Sequence, residues 1–373
     1  MNIMNKIENF NPLAVNSKFG ICGLPIRIDT YKTCSFGCEY CFANNRKVMG
    51  FDKELQVADV DAVERRLNRI FNKGIINENS LLDVLIADGI DWHLGGMSDP
   101  LQPAEAEHHI TKKLIEVTNK YGIHMVISTK SDNLYGCDFR PDLHSFQLSV
   151  SNVSNCKAVE PNVPDIQARY KLYRYLKDNG FKVGIRIQPF IPGITTTEII
   201  EMFHDADNFT IEGLKLVPQN KEHKELVLQA TGLDRELFVL KGLLNLKPEY
   251  RLSLYKPFID ELEKRGMRYS IADNDLHYMG NNCCCCGDNL VHKATSFNNT
   301  ALYHTVGKDY SLEDIKVQLE ACNVSDCKCK SMFSSNRQDG FETVEEFFQV
   351  KFDSKANPVS HLFQHNLNND SNI

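Results

Sequence analysis

Residues 31–43 read Tyr31-Lys32-Thr33-Cys34-Ser35-Phe36-Gly37-Cys38-Glu39-Tyr40-Cys41-Phe42-Ala43. They follow, after Thr30, on Leu24-Pro25-Ile26-Arg27-Ile28-Asp29. The earlier stretch alternates like a short strand and runs straight into the cysteine loop. The spacing is Cys-x3-Cys-x2-Cys, with an aromatic residue, Tyr40, directly before the last cysteine. Three thiolates on one loop can hold three irons of a [4Fe–4S] cluster. The fourth iron then has no ligand from the loop and is open to a substrate or cofactor, like the open position of a catalytic metal site. Zinc is the competing occupant. It usually takes four ligands, often as two Cys-x2-Cys pairs, and no second pair lies close by.

Downstream, strand patterns alternate with helix patterns, the signature of a parallel α/β sheet or barrel. Val60, Val63, Leu67, Ile70 and Phe71 keep helical spacing between Asp59 and Gly74. Ser80 caps a helix that Gly89 ends, and residues 90–94 form a second strand stopped by Gly95-Gly96. A helix is predicted over 104–121, entered at Pro103 and closed by Gly122. Strands follow at 123–128 and 144–150, then a helix at 165–179 ended by Gly180. A fifth strand lies within 181–190, a helix at 195–204, and a sixth strand at 213–217. Six strand–helix units over residues 20–220 predict a partial (β/α)6 barrel. The cysteine loop then sits at the C-terminal end of strand one, where barrels carry their chemistry.

The loop spacing and its aromatic resemble the cluster loop of the radical S-adenosylmethionine (SAM) superfamily. Several further segments narrow the resemblance to the branch of spore photoproduct lyase and related DNA repair photolyase-like proteins. These are Asp99-Pro100-Leu101-Gln102-Pro103, Ser128-Thr129-Lys130-Ser131 and Pro189-Phe190-Ile191-Pro192-Gly193. The resemblance spans about residues 20–220. It implies a [4Fe–4S] cluster on Cys34, Cys38 and Cys41 that reductively cleaves SAM to a 5′-deoxyadenosyl radical, which takes hydrogen from a substrate. It also implies a protein reductant of flavodoxin or ferredoxin type.

In that family a Gly-Gly-Glu-type segment after strand two meets the SAM amino group. Here Gly95 and Gly96 are followed by Met97, Ser98 and Asp99, so an aspartate stands displaced from the glutamate position. The resemblance implies, by position, that Ser128 and Lys130 meet the SAM carboxylate, and Ser149 and Ser151 the ribose. Tyr40 belongs to the same cofactor-binding set. Arg186, inside strand five, needs a partner or an anionic ligand. Lesion repair in this branch uses a hydrogen-donating cysteine on the segment after the cluster loop. Residues 42–136 contain none, and Cys137 comes only after strand three.

The chain has 373 residues and 13 cysteines. Beyond residue 220 the alternation stops. Pro248–Gly266 reads as a helix and Met267–Ala272 as a strand. Cys283, Cys284, Cys285 and Cys286, with Cys322, Cys327 and Cys329, form a candidate second site for an auxiliary [4Fe–4S] cluster or zinc. Successive side chains of an extended run face opposite ways, so one metal would not take all four of the first group. Asp275 and His277 are candidate ligands or substrate contacts beside it, or part of a solvated turn. The expected organisation is a barrel over 20–220, an extension over 221–353 and a disordered Asn- and Ser-rich tail over 354–373.

No apolar run is long enough to span a membrane and no signal-peptide pattern opens the sequence, so a cytoplasmic protein is expected. The formal net charge of −7 argues against a broad duplex-binding surface. Nucleic acid, a peptide and a small molecule all stay open as substrates. Three further readings also stay open at this point: a photoproduct-lyase-like repair enzyme, a non-catalytic zinc protein and an electron-transfer protein.

Overall fold

The computed structural model describes residues 9–15, 24–43, 54–77, 80–154, 157–241, 243–273, 276, 279–281 and 286–294. In chain order its elements begin with β1 (Asn9–Phe10), β2 (Leu13–Val15), β3 (Ile26–Ile28), β4 (Val57–Ala58), α1 (Val60–Leu67), α2 (Leu81–Ala87) and β5 (Trp92–Leu94). Then come α3 (Glu105–His108), α4 (Ile110–Lys120), β6 (Met125–Thr129), β7 (His144–Ser149), α5 (Ile166–Asp178), β8 (Val183–Phe190), α6 (Glu198–Met202) and β9 (Asn208–Gly213). The remainder is β10 (Lys215–Leu216), α7 (Lys221–Thr231), β11 (Phe238–Lys241), β12 (Leu243–Leu246), α8 (Pro248–Lys264) and β13 (Tyr269–Ile271).

The main sheet has eight strands in the order β13-β9-β8-β7-β6-β5-β3-β2. All its pairings are parallel except that of β2 with β3. β3, β5, β6, β7 and β8 are the first five parallel strands that the sequence predicts, and β9 and β13 extend the parallel run. The two outermost strands, β2 and β13, do not pair with each other, so the sheet is open. No helix among the described residues is long and apolar enough to cross a membrane.

Alternation within the strands explains both faces of the sheet. Met125 and Ile127, Phe146 and Leu148, Ile185 and Ile187, and Phe209 and Ile211 join the helices in one large apolar core. Apart from Val126, which packs with Leu24 and Cys286, the residues alternating with them are polar or small: Ser128, Ser145, Gln147, Gly184, Arg186, Asn208 and Thr210. Period-two alternation sends these to the other face, the inside of the barrel. Helix ends are capped locally. Asp59 Oδ1 accepts from the N–H of Ala62, and Ser80 Oγ from that of Asp83.

Several elements differ from the sequence reading. The sixth barrel strand is Asn208–Gly213, not 213–217. Residues 215–216 instead enter a separate antiparallel sheet, β10-β12-β11. The inward positions of the true strand are Asn208, Thr210 and Glu212, and their polarity hid it. The predicted 59–74 helix ends as α1 and continues as one π-helical turn over Asn68–Asn72. The predicted 104–121 helix is two helices, because His109 adopts a left-handed φ of 52° between them. The helix expected at 195–204 is reduced to α6. The main sheet also does not stop at residue 220, since β13 pairs in parallel with β9.

The N-terminal mouth of the barrel is closed by residues 286–294. The Leu290 carbonyl accepts from Ser145 Oγ at 2.6 Å, and the Cys286 carbonyl from Gln147 Nε2 at 3.1 Å. Asp91 accepts the N–H groups of His292 and Lys293 at 2.6 and 3.0 Å. Leu290 fits because position 184 is glycine, where a Cβ would lie 2.8 Å from Leu290 Cδ1.

His144 opens β7 near this floor. Its Nδ1 accepts the N–H of Arg140 at 2.9 Å, which places the ring proton on Nε2. Burial pulls its pKa down to about 4. The neutral ring therefore contributes stability that is fully present above the ordinary value near 6.5 and is lost as pH falls toward 4. The amount is on the order of 3 kcal/mol. In urea titrations from pH 7 to pH 4, His144→Gln should show a shallower loss of stability than the natural chain. Equal slopes would contradict this account.

Candidate functional site

One cavity opens at the C-terminal ends of the barrel strands, with about 880 Å³ of empty volume counted out to its mouth. Cys34, Cys38 and Cys41 line it together with Tyr40, Gly95, Gly96, Ser98, Asp99, Ser128, Lys130 and Ser149. Its remaining wall includes Gln188, Glu212 and Lys215.

The cysteine loop is held from both sides. Gln102 Oε1 accepts from the N–H of Ser35 at 2.7 Å, and Gln102 Nε2 donates to the Thr33 carbonyl at 2.7 Å. A single buried amide thus clamps the backbone on either side of Cys34. Phe36, Cys38 and Tyr40 pack into a second apolar cluster with Val227 of α7, Leu216 of β10, Phe238 of β11 and Leu246 of β12. The small sheet and α7 therefore cover the outer side of the loop.

Burial raises the pKa of Cys34, and pushes that of Cys38 up to about 12. Without a metal both are thiols. A cation that replaces their protons would turn them into thiolates. Among the described residues no three His, Cys, Asp or Glu side chains gather in metal-holding geometry. The donor set of three thiols on one cavity nonetheless fits an iron–sulfur cluster in kind.

The glycine loop is shaped by close approach. Gly95 has φ +90°, and a Cβ there would lie 2.5 Å from the Ser128 carbonyl oxygen. Gly95→Ala should destabilise the protein by about 1–3 kcal/mol from backbone strain alone. A thermal melt reads this as a lower Tm, and an unchanged Tm would refute it. Asp29, at the end of β3, accepts the N–H groups of Met97 and Ser98 at 2.8 and 3.3 Å. Ser98 Oγ donates to the Tyr31 carbonyl at 2.5 Å. Asp99 is turned toward β6. It accepts from Thr129 Oγ1 at 2.7 Å and from the N–H groups of Lys130 and Leu101 at 2.6 and 2.9 Å. Both carboxylate oxygens are thus engaged by the protein's own groups.

Lys130 is neutralised by a residue not picked from the sequence. Its Nζ lies 2.9 Å from Glu160 Oε1 and 5.5 Å from the centre of the Tyr40 ring. Tyr40 donates its hydroxyl hydrogen to the same Glu160 oxygen. Arg169, 2 % exposed, approaches the other Glu160 oxygen at 3.7 Å. Burial works to raise the Glu160 pKa, but Lys130 and Arg169 outweigh it and leave it lowered. Two cations share one carboxylate here. Ser151 stands 3.5 Å from the Tyr40 hydroxyl and does not line the cavity.

Arg186 lies below the cavity in a polar chain that crosses the barrel interior. His93 Nε2 contacts Ser128 Oγ at 2.8 Å, and Ser128 Oγ donates to Gln147 Oε1 at 3.2 Å. Arg186 donates to Gln147 Oε1 at 3.0 Å and to Gln188 Oε1. Gln188 Nε2 and Lys215 Nζ both donate to Glu212. Asp273 follows, 3.6 Å from Lys215, 3.1 Å from Arg251 and 2.7 Å from the Tyr255 hydroxyl. Gln188 shares a strand face with Arg186, two residues away, so alternation was the signal that would have found it.

The fold resembles that of spore photoproduct lyase. A mutant of that enzyme with bound AdoMet and dinucleoside spore photoproduct aligns with TM-score 0.51 at 16% identity, over 68% of this chain and 78% of that one. A complex with the dinucleoside photoproduct aligns with TM-score 0.50 at 15% identity, over 73% and 80%. No family model and no curated protein sequence matches this chain. At such identities the likeness concerns the fold.

Among the described residues, the thiols on the cavity are those of Cys34, Cys38 and Cys41. Cys137 belongs to the large apolar core and does not line it. Cys286 is buried with Leu24 and Val126 at the opposite mouth. Cys283, Cys284, Cys285, Cys322, Cys327, Cys329, Asp275 and His277 lie outside the described residues, as does the 354–373 segment.

Proposed function

We propose that the chain is a radical SAM enzyme. The observation that carries this reading is one shared cavity at the strands' C-terminal ends. There the thiols of the Cys-x3-Cys-x2-Cys loop meet the Gly95-Gly96 backbone, Ser128, Lys130 and Ser149. Cys34, Cys38 and Cys41 would hold a [4Fe–4S] cluster. When bound, that cluster supplies the electron that splits SAM into methionine and a 5′-deoxyadenosyl radical.

The protein's part is placement and exclusion of water. The glycine backbone admits a ligand close to the loop. Lys130, held by Glu160, presents a fixed ammonium for a carboxylate. Ser149 offers a hydroxyl to a ribose. The sheet formed by β10, β11 and β12 shields the loop from solvent. A flavodoxin- or ferredoxin-type reductant would deliver the electron.

The test is anaerobic reconstitution of the full chain with iron and sulfide. A brown protein that absorbs near 400 nm, bleaches with dithionite and releases 5′-deoxyadenosine from SAM supports the reading. A colourless protein with stoichiometric zinc would overturn it.

A further inference from the structure

The first turn of α7 is fixed by its N-cap. Asn220 Oδ1 accepts the N–H of His223 at 3.0 Å. Val227, one turn further along the same face, is buried with Phe36, Cys38 and Tyr40 of the cysteine loop. His223 and Val227 are the buried residues of this helix. A histidine therefore stands where the helix presents its apolar face to the loop.

The ring is used at one nitrogen. His223 is hydrogen-bonded to the backbone of Glu39, between Cys38 and Cys41. The Glu39 N–H is already given to the Val159 carbonyl at 3.0 Å, so the group left for the ring is the Glu39 carbonyl. The other ring nitrogen, Nε2, is buried and has no partner among the described residues. Nδ1 is therefore the donor, and Nε2 carries the bare lone pair. Burial lowers the pKa of the ring, against the pull of the Glu39 bond, so it stays neutral near pH 7. A buried nitrogen without a partner is a cost that a leucine would not carry. Packing alone does not account for histidine at this position, whereas a bond to the loop does.

With that bond, every peptide between Cys38 and Cys41 is held. The Cys38 carbonyl accepts the Cys41 N–H at 3.0 Å, the Glu39 N–H goes to Val159, and the middle peptide, Glu39–Tyr40, is held by His223. A donor on a carbonyl polarises its peptide and strengthens the N–H at the other end. Hydrogen bonds and dipoles around an iron–sulfur cluster favour the extra electron of its reduced state. We infer that His223 is a positioning residue of the cysteine loop. Its Nδ1–H fixes the Glu39–Tyr40 peptide and so raises the reduction potential of the cluster that the loop would hold. This rests on the radical SAM reading. His223 does not line the cavity, so it acts through the loop and not on a ligand.

Two measurements on the full chain test this. The first needs no metal. Nitrogen NMR of the cluster-free protein, labelled at histidine, should show a neutral Nδ1–H tautomer for the ring whose signals vanish in His223→Leu. The second is a redox titration of the reconstituted protein followed by EPR. His223→Leu should shift the potential downward. His223→Asn should restore it, because the asparagine amide nitrogen falls near the place of Nδ1. His223→Gln, whose amide nitrogen falls near the place of Nε2, should not. Iron content and a thermal melt of each variant show that it is folded and loaded, and the Asn–Gln comparison stands even if the Leu variant fails to fold.

An Nε2–H tautomer, an unchanged potential in folded and loaded His223→Leu, or equal shifts in the Asn and Gln variants would each overturn the inference and leave the cluster assignment intact. Failure of the natural chain to take up iron would instead overturn the radical SAM reading, whatever the tautomer.

Discussion

Replacing Cys34, Cys38 and Cys41 together by alanine should remove the iron that anaerobic reconstitution places on this loop, and with it all release of 5′-deoxyadenosine. Each single replacement should have nearly the same effect on activity, since two thiolates leave a cluster with too few protein ligands. The structure offers no substitute. Among the described residues, no other cysteine lines the cavity. Asp99, the nearest acid in the lining, is committed to Thr129, Lys130 and Leu101. Iron analysis beside a thermal melt separates loss of the cluster from loss of the fold. Full 5′-deoxyadenosine release by the triple variant would sink the assignment. Iron that remains without that activity would instead locate a second cluster elsewhere in the chain.

The second large effect concerns Asp273. Its carboxylate receives the N–H of Gly213 at 2.9 Å and the Tyr255 hydroxyl at 2.7 Å, and lies 3.1 Å from Arg251. Asp273 and Arg251 are each 2 % exposed. Asp273→Ala removes the carboxylate that lies 3.1 Å from Arg251 and 3.6 Å from Lys215. Breaking a buried pair by removing one partner costs about 3–5 kcal/mol. Urea unfolding should show a loss of that order. Arg251→Met together with Asp273→Leu should recover much of it, because a buried ion pair replaced by apolar groups of similar size is often close to neutral. A loss below about 1 kcal/mol for the single variant would contradict this account.

Much of this was legible in the sequence. The first five parallel strands followed from alternation, and the position of the cysteine loop followed from the strand before it. The polar interior was harder to read. Alternation says that Gln147 and Ser149 share a face, but not whether that face meets helices or the lumen. Asn208-Phe209-Thr210-Ile211-Glu212 therefore looked less like a barrel strand than the more apolar segment after it.

Glu160 escaped for a different reason. It is 30 positions from Lys130 and sits between elements, where no spacing rule applies. The clamp by Gln102 was equally invisible, although its neighbours Asp99, Pro100 and Pro103 had marked the segment. Ion pairs and amide clamps between distant loops are products of the assembled fold, while periodicity reports only on local elements.

The barrel floor has a consequence for how the chain is made. Asp91 waits for His292, 201 positions later, and Ser145 for Leu290, 145 positions later. Contacts of such long range form late and slow the folding of the whole. On the ribosome, all six barrel strands emerge before the segment that closes their lower mouth. Until that segment arrives, Val126 and the bare backbone at Gly184 lack the cover of Cys286 and Leu290, the kind of exposure that invites aggregation or chaperone capture. Arrival of residues 286–294, rather than completion of the six strands, is the event that covers the lower mouth.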